Sequence, residues 1–460
     1  MNSNVHTAAR GGSSWWEEAR ATFALGAPLA IVQLTQFLVS TTEVILVGHL
    51  GPQSLAAVAL GHSVHFTVWM FCLGITVTVA PLVARALGGG DVTVMRPILH
   101  QGLIVATLLG IPATFVVWHG GNILSALGQR PETVALSTQY LHPLAFSMVP
   151  SLWTGALRAF ISAHSRPRAV LGVAVIGLGF NGVFSYGLIF GQLGLPQLGI
   201  TGAGIGVTAT NVVMFVAMTT YLVAMPAFRS YRLLAGFRFD RTWFVEILRV
   251  GIPVGATMVL EVAYFNACLQ LMGLLGTDQL AAHQVALQFA ALSFMLPLGL
   301  GQAATVRVGY NAGAGDLRAA FRAGWVALGL GLACVSIAGL LFWLVPRSLV
   351  GLFVDVGEPG NFAMIGYAVS FLAVVAAFQL VDATQAIVVG ALRGLKDTRV
   401  PLAIAAFGYW VVGLGISVAL GFYTSLAGVG IWIGSAAGLA TAALLLTWRF
   451  YRASRAHAQG

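Results

Sequence analysis

Charged residues are scarce in this 460-residue chain and make up 8% of it, whereas an ordinary soluble domain has about 25%. A water-soluble core of this size could not be covered by so few charges, so a soluble globular protein is excluded. Hydrophobic residues account for 58% of the chain. The solvent that suits this composition is a lipid bilayer, in which a spanning helix needs roughly 20 apolar residues.

Several chemical signatures are also missing. The single lysine, Lys396, lies in the segment GLKDT, which lacks the GxxxxGK[ST] pattern of a phosphate-binding loop, and HExxH and GxSxG are absent as well. The chain is therefore not an ATP-driven pump by itself, and we predict neither enzymatic activity nor a cofactor. The three cysteines, Cys72, Cys268 and Cys334, lie in apolar segments and are expected to be core residues rather than a disulfide framework or a metal site.

The net charge of +9 does not indicate nucleic acid as a partner, because the basic residues form no run with interleaved aromatic residues. The N-terminus contains polar residues and acids, so we do not interpret it as a cleavable signal peptide. Trp15 and Trp16 are typical of a helix that lies at the membrane interface.

Long apolar stretches separated by short loops predict an all-α, polytopic membrane protein with twelve transmembrane helices. The spans are expected at 22–47, 54–80, 97–117, 134–157, 169–190, 200–224, 247–273, 280–306, 319–345, 362–391, 400–420 and 426–448.

The distribution of basic residues supports this topology. If the N-terminus is cytoplasmic, only Arg130 and Arg347 fall on the outer side, and the other 21 of the 23 basic residues lie inside or at inner helix ends. A missed span would scramble this bias further along the chain. We therefore predict a multi-pass protein of the inner (plasma) membrane with both termini in the cytoplasm.

The two halves of the chain resemble each other. Residues 26–91 align without a gap on 251–316, so that Pro28 meets Pro253 and the loop GGGD at Asp91 meets GAGD at Asp316. Six helices per repeat enter the membrane in the same sense, which predicts a pseudo-two-fold axis along the membrane normal and a cleft between two lobes.

The predicted organisation follows from the longest polar connection inside the chain, at 225–246. We expect an N-terminal cytoplasmic or interfacial segment (1–21), an N-terminal lobe of six helices (22–224), a cytoplasmic linker (225–246), a C-terminal lobe of six helices (247–448) and a cytoplasmic tail (449–460).

Three acids fall within predicted spans: Glu43, Glu261 and Asp382. Each charge at the middle of a helix costs about 2.5–3.5 kcal/mol on insertion scales, and a structural role rarely justifies such a cost. We interpret these acids as the lining of a polar cavity with a function. The alternative is a purely structural role, in which each acid pairs with an arginine or caps a broken helix.

Neighbouring polar and aromatic residues support a cavity. Gln36 and Glu43 lie on one face of the first helix, Tyr264 and Phe265 follow Glu261 on the seventh, and the tenth carries a polar stripe. Acids beside aromatic rings suit an amphipathic organic cation. Weaker candidates for the cavity are Asn181 and Gln284, for which helix packing is an equally good interpretation. The stripe on the tenth helix consists of Gln379, Asp382 and Gln385.

The segments around these acids resemble the multidrug and toxic-compound extrusion family in its NorM-like branch. The segment LEVAYFNACLQLMGLLGTDQLAAHQVAL from Leu260 looks like the seventh and eighth helices of that family, and VDATQAIVVGALRGLKDTRVP from Val381 looks like its tenth helix. The resemblance covers essentially the whole chain.

The resemblance implies a fold of two six-helix lobes and the export of organic cations in exchange for protons or sodium ions. Residue by residue, it places the family's seventh-helix glutamate at Glu261, its tenth-helix aspartate at Asp382 and its fifth-helix asparagine at Asn181. The family's first-helix acid is usually aspartate, and here it is Glu43. Some proton-coupled relatives carry a second acid four residues after the asparagine, where this chain has Ser185.

We therefore expect a secondary antiporter that works by alternating access, as a monomer in the lipid bilayer. Protons are the expected coupling ion, because a carboxyl group buried among apolar groups holds a proton more readily than one in water. Sodium at Asp382 is the alternative. A flippase for lipid-linked or other amphipathic substrates, and more distantly a membrane-embedded enzyme or receptor, also remain open.

Overall fold

The computed structural model describes residues 14–233, 236, 238–355 and 357–456, and all regular secondary structure in these ranges is helical. Eleven helical segments of this part are long and apolar enough to cross a membrane. A further pair of helices, bent by 48° at a short break, makes a twelfth when it is counted as one span. The prediction of an all-α polytopic protein is confirmed.

The first half of the chain begins with one long helix and continues with shorter ones. Its α-helices are α1 (Trp15–Gly48), α2 (Pro52–Thr76), α3 (Val79–Gly88), α4 (Met95–Trp118), α5 (Gly120–Ala126), α6 (Pro131–Ala145), α7 (Met148–Ala163), α8 (Pro167–Phe190), α9 (Ile200–Ala224) and α10 (Pro226–Arg229). The bent pair consists of α6 and α7.

The second half contains the longest helices. They are α11 (Arg241–Leu275), α12 (Thr277–Gly313), α13 (Leu317–Leu344), α14 (Pro346–Val350), α15 (Phe362–Gly394), α16 (Arg399–Ala406), α17 (Leu414–Phe422) and α18 (Ala427–Ala456). One π-helical turn, Phe407–Gly413, joins α16 to α17 without a break in the helical path.

Proline and glycine set several helix ends. Pro52, Pro131 and Pro167 each occupy the first turn of a helix, where the missing N–H group would have no partner within the helix anyway. The last turn of α8 is closed by Gly191, whose φ of 70° is left-handed and favours glycine. These local signals explain why the apolar stretches break where they do.

The repeated loop motif has the same backbone conformation in both halves. Gly90 and Gly315 have φ values of 73° and 80°. The aspartates that follow them, Asp91 and Asp316, adopt φ/ψ near −86°/83° and −91°/82°. Each aspartate side chain accepts a hydrogen bond from a nearby backbone N–H group. The GGGD and GAGD sequences therefore perform the same helix-ending and helix-starting task.

The chain divides into two compact units whose borders lie inside helices. Unit N comprises the described residues between Ile31 and Ala256, and unit C comprises the described residues up to Ala30 together with those from Thr257. Both borders lie within three residues of a helix-interior proline, Pro28 in α1 and Pro253 in α11. The lobes expected at 22–224 and 247–448 stay a prediction, and residues 1–13, 234, 235, 237, 356 and 457–460 lie outside the described residues.

A close crossing of α12 and α15 fixes the helix that carries Asp382. A Cβ atom on Gly390 would lie 2.8 Å from the carbonyl carbon of Gly301, so position 390 requires a residue without a side chain. The hydroxyl group of Thr305 donates a hydrogen bond of 2.8 Å to the carbonyl oxygen of Gly390. Small residues and a hydroxyl at a crossing are the usual means of packing helices in a membrane.

The start of α1 is anchored within unit C by a buried ion pair. The Glu18 carboxylate accepts hydrogen bonds of 2.8 and 2.5 Å from the Arg307 guanidinium of α12. Glu18 is 1% exposed and the Arg307 side chain 13%. Trp15 and Trp16 begin the same helix, which continues to Gly48 without interruption. Both of their side chains are exposed.

An aromatic cluster surrounds His164 at the end of α7. Its ring lies 4.5 Å from the ring of Phe160, 5.1 Å from Phe228 and 5.5 Å from Tyr231, measured between centroids. Burial, with a smaller contribution from the charge of Arg166, lowers the pKa of His164 to about 4. A hydrogen bond to the Phe160 carbonyl opposes this shift only in part.

Candidate functional site

The polar stripe on α15 is buried and poorly satisfied. Gln379, Asp382 and Gln385 are 3%, 7% and 3% exposed. Asp382 Oδ1, Gln385 Oε1 and both amide atoms of Gln379 have no hydrogen-bond partner among the described residues. Buried polar atoms without partners are rare in folded proteins because each one costs free energy. Three such side chains on successive turns of one helix form an unsatisfied polar surface inside unit C.

Asp382 shares this site with Glu261 of α11. The two carboxyl groups interact electrostatically, although 121 positions separate them along the chain. Glu261 is half-buried and also interacts with the guanidinium of Arg393, in the last turn of α15. Arg393 is eleven residues after Asp382, about 16 Å along the helix axis. Glu261 therefore interacts with both the Asp382 carboxyl group and the Arg393 guanidinium.

Tyr264 and Phe265, predicted to line a cavity, take different positions on α11. Tyr264 is fully buried, and its hydroxyl group donates a hydrogen bond of 3.1 Å to Ser435 Oγ in α18. Phe265 is half-buried, and its ring lies 6.3 Å from that of Phe378, edge to face. The Tyr264 hydroxyl is thus already occupied, whereas the Phe265 ring borders the segment that carries Gln379.

Glu43 occupies a second polar site, within unit N. It is 5% exposed, and the hydroxyl group of Tyr140 in α6 lies beside its carboxyl group. Neither the Tyr140 hydroxyl nor Glu43 Oε1 has a partner that meets hydrogen-bond geometry within the described part of the chain. Gln36, two turns earlier on α1, is half-buried.

Asn181 lies on α8 in the same unit and is fully buried. Its side-chain nitrogen donates a hydrogen bond of 3.2 Å to Thr210 Oγ1 on α9. Its oxygen, Asn181 Oδ1, is buried without a hydrogen-bond partner in the ranges that the structure describes. Ser185, one turn further along, is 1% exposed. The side-chain amide of Asn181 therefore links α8 to α9, and its oxygen could accept a further hydrogen bond.

The structure brings together some of the predicted residues and separates others. Asp382 and Glu261 lie within electrostatic range of each other, and Gln379 and Gln385 flank Asp382 on its helix. Glu43, Gln36 and Asn181 belong to the other unit. Gln284 is exposed near the start of α12. The predicted set therefore divides into an acid pair in unit C and a single acid in unit N.

Three residues of these sites were not anticipated from the sequence: Tyr140, Arg393, and Tyr409 of the π-helical turn, whose hydroxyl group faces Glu261 and Asp382. Arg393 falls at a helix end next to a loop, where a basic residue is ordinary, although its place in the GALRG motif was a signal. The tyrosines carry no mark in the periodicity of the apolar residues, since each simply reads as an aromatic core residue.

Comparison with known proteins identifies the family. A family model described as MatE matches residues 28–187 and 253–419, more than half of the chain. The chain is 41% identical over 441 residues to a probable multidrug resistance protein NorM of Brucella suis biovar 1, covering 95% of this chain and 94% of the relative. It is 42% identical over 444 residues to a protein of the same name from Mesorhizobium japonicum, with coverage of 96% and 95%.

Solved structures give the same fold. A crystal structure of MATE in the straight conformation has a TM-score of 0.88 at 20% identity and is covered completely, as is this chain. The eukaryotic MATE transporter AtDTX14 has a TM-score of 0.84 at 20% identity, over 96% of this chain and 99% of that one. With the family model and the relatives covering most of its length, this chain belongs to the MatE family of multidrug efflux transporters.

Proposed function

We propose that this protein is a secondary active antiporter that exports organic cations in exchange for protons, by alternating access. The observation that carries the proposal is the pair of the buried Asp382 and the half-buried Glu261, with amide oxygens beside Asp382 that have no partner among the described residues. We propose further that the protein is a monomer in the plasma membrane, with both termini in the cytoplasm. The NorM relatives are named as multidrug resistance proteins, which supports the export of drugs by this chain.

The chemistry of the pair supports a cationic substrate. The group comprises two carboxyl groups, of Asp382 and Glu261, and one guanidinium, that of Arg393 beside Glu261, so it carries one excess negative charge when both acids are ionised. The half-buried ring of Phe265 adds a surface on which a flat cation can bind through cation–π contact. A monovalent organic cation would neutralise the group and cover its apolar surroundings.

Competition for the same carboxylates supports exchange rather than simple efflux. Protonation of either acid removes the charge that holds the drug, and a bound drug cation disfavours protonation. Occupancy by one species therefore excludes the other. If the protein reverses its access only in the occupied states, movement of protons inward drives the drug outward.

Energetics constrain the number of ions. Exchange of one proton for one monovalent cation is electroneutral and draws only on the pH gradient, which is worth about 1.36 kcal/mol per unit. The membrane potential adds about 2.3 kcal/mol per charge at 100 mV. Steep accumulation therefore requires more than one proton per cycle, which Asp382 and Glu261 together with Glu43 could carry.

The decisive experiment uses purified protein in liposomes loaded with a fluorescent cationic dye. We expect dye transport under an imposed pH gradient in sodium-free buffer with the membrane potential clamped. Asp382→Asn should abolish this transport, because the variant keeps the shape of the side chain and loses its charge. Asp278→Asn makes the same chemical change at an exposed position in the first turn of α12 and should transport normally.

The outcomes separate the alternatives. Transport that is absent under the pH gradient and restored by a sodium gradient would show that sodium, not protons, is the coupling ion. Wild-type transport by Asp382→Asn at normal protein levels would refute the assignment of the acid pair. Failure of the wild-type protein to move the dye under either gradient would refute the antiporter itself.

A further inference from the structure

A π-helical turn interrupts the helical path between α16 and α17 at Phe407–Gly413 and carries a tyrosine into the interior of unit C. Tyr409 is fully buried, and its hydroxyl oxygen has no hydrogen-bond partner among the residues that the structure describes. A π-helical turn accommodates one extra residue and is less favourable than an α-helical one, so it persists where packing or function requires it.

Two contacts fix this turn against the part of α11 that carries Glu261. The ring of Tyr409 stacks on that of Tyr264, with centroids 5.5 Å apart and planes inclined by 24°. On the other side, the indole N–H group of Trp410 donates a hydrogen bond of 3.3 Å to the carbonyl oxygen of Leu260. Leu260 directly precedes Glu261, so both contacts hold the turn against the part of α11 that carries Glu261.

The π-helical turn also packs closely against α18. A Cβ atom on Gly408 would lie 2.9 Å from the Gly438 carbonyl oxygen and 3.1 Å from the Ala442 side chain. The backbones of the π-helical turn and α18 are therefore as close as glycine permits. This packing fixes the backbone that carries Tyr409.

The charged and titratable groups that face the Tyr409 hydroxyl come from two helices. From α11 these are Glu261 and Tyr264, and from α15 they are Asp382 and Arg393. The Tyr264 hydroxyl is occupied by Ser435. Within the described part of the chain, the Tyr409 hydroxyl is therefore a donor without an acceptor, beside two acids of which one, Asp382, has an oxygen without a donor.

We propose that Tyr409 is a positioning residue of the acid pair, whose hydroxyl donates a hydrogen bond to whichever of Glu261 and Asp382 has lost its proton. This inference rests on the proposed exchange of protons for drug cations. A donor that binds the ionised form of a carboxyl group favours that form. Tyr409 thus sets the pH at which the pair releases its proton and accepts a drug.

The test measures ethidium binding to the purified full-length protein by fluorescence polarisation as a function of pH. In Tyr409→Phe the ring and its stacking remain while the donor is lost. We expect the midpoint of the binding curve to move to higher pH by about one to two units, a change of about 10- to 100-fold in proton competition. At high pH, where both acids are ionised in either protein, the affinity for ethidium should approach that of the wild type.

The matched control is Tyr423→Phe, the same change at a tyrosine that is 84% exposed just after α17, and its midpoint should equal that of the wild type. A wild-type midpoint in Tyr409→Phe would overturn the role of Tyr409 and leave the proposed exchange standing. Wild-type binding that does not depend on pH would overturn both. Reduced binding in Tyr409→Phe at every pH, without a moved midpoint, would show a merely structural role and also overturn the inference.

Discussion

The buried ion pair between Glu18 and Arg307 allows a quantitative prediction. Glu18→Ala would leave the Arg307 guanidinium largely buried, 13% exposed, without the carboxylate that now accepts two of its hydrogen bonds. Removal of one partner of a buried pair costs about 3–5 kcal/mol. Unfolding entropies of about 2.1 cal/mol/K per residue give about 1 kcal/mol per kelvin for a chain of this length. We therefore expect the melting temperature to fall by about 3–5 °C.

The cysteines of the chain supply the assay. Cys72 and Cys268 are buried and Cys334 is partly buried, so a thiol-reactive fluorophore reports unfolding in detergent as these thiols become accessible. Glu17→Ala is the control, since Glu17 is exposed and its carboxylate only accepts a hydrogen bond from the Ser14 backbone. Loss of such a terminal hydrogen bond costs about 1 kcal/mol.

Two results would contradict this reasoning. If Glu18→Ala and Glu17→Ala lowered the melting temperature equally, the burial of the pair would contribute nothing. The double variant Glu18→Leu/Arg307→Met should be more stable than Glu18→Ala, because it removes both charges together. A double variant that is no more stable than the single one would show that packing around α1, rather than an uncompensated charge, sets the cost.

Three further predictions concern the acids, the topology and the pH dependence of stability. Glu261→Gln should insert normally and severely reduce export of cationic dyes in cells, whereas Glu43→Gln should reduce it less; equal losses would refute the ranking. Reporters fused after Arg241 and at Gly194 should report the cytoplasm and the outside, and a shared side would disprove the helix count. The pKa of His164 is about 4 in the fold and near 6.5 in the unfolded chain, so the contribution of the neutral imidazole to the free energy of unfolding is complete above pH 6.5. It should fall by up to about 3 kcal/mol as the pH drops towards 4, and thermal melts of His164→Gln should lack this component.

The fold was predictable because the bilayer imposes a simple pattern. Every spanning helix must satisfy its own backbone, so a run of apolar residues such as that of α13 is sufficient to place it. The helix ends were less predictable: α1 begins at Trp15, seven residues before the expected start at 22. The added segment contains Glu18, whose burial depends on Arg307, almost 300 positions away in the chain. A pairing of this kind has no local signal.

The candidate sites were predictable to the extent that a single residue is unusual by itself. Asp382 and Glu261 are conspicuous because charge inside a membrane is costly, and the structure brings them into electrostatic range. Arg393 was not conspicuous, because it lies where basic residues are common. Tyr409 depends on a π-helical turn, which arises from close packing against α18 rather than from the propensities of its own residues.

The borders of the two units have a consequence for the chain as a product of duplication. The repeat aligns Pro28 with Pro253. The N-terminal part of α1 belongs to unit C, and the N-terminal part of α11 belongs to unit N, so each unit contains a helix segment from the other half of the sequence. A polypeptide cut in the linker between α10 and α11 would give two fragments, each with a segment that belongs to the other's core and each lacking one of its own. Neither fragment alone contains a complete unit. A single repeat on its own could complete such a unit only by exchanging half-helices with a second copy, whereas the two linked halves make the exchange within one chain.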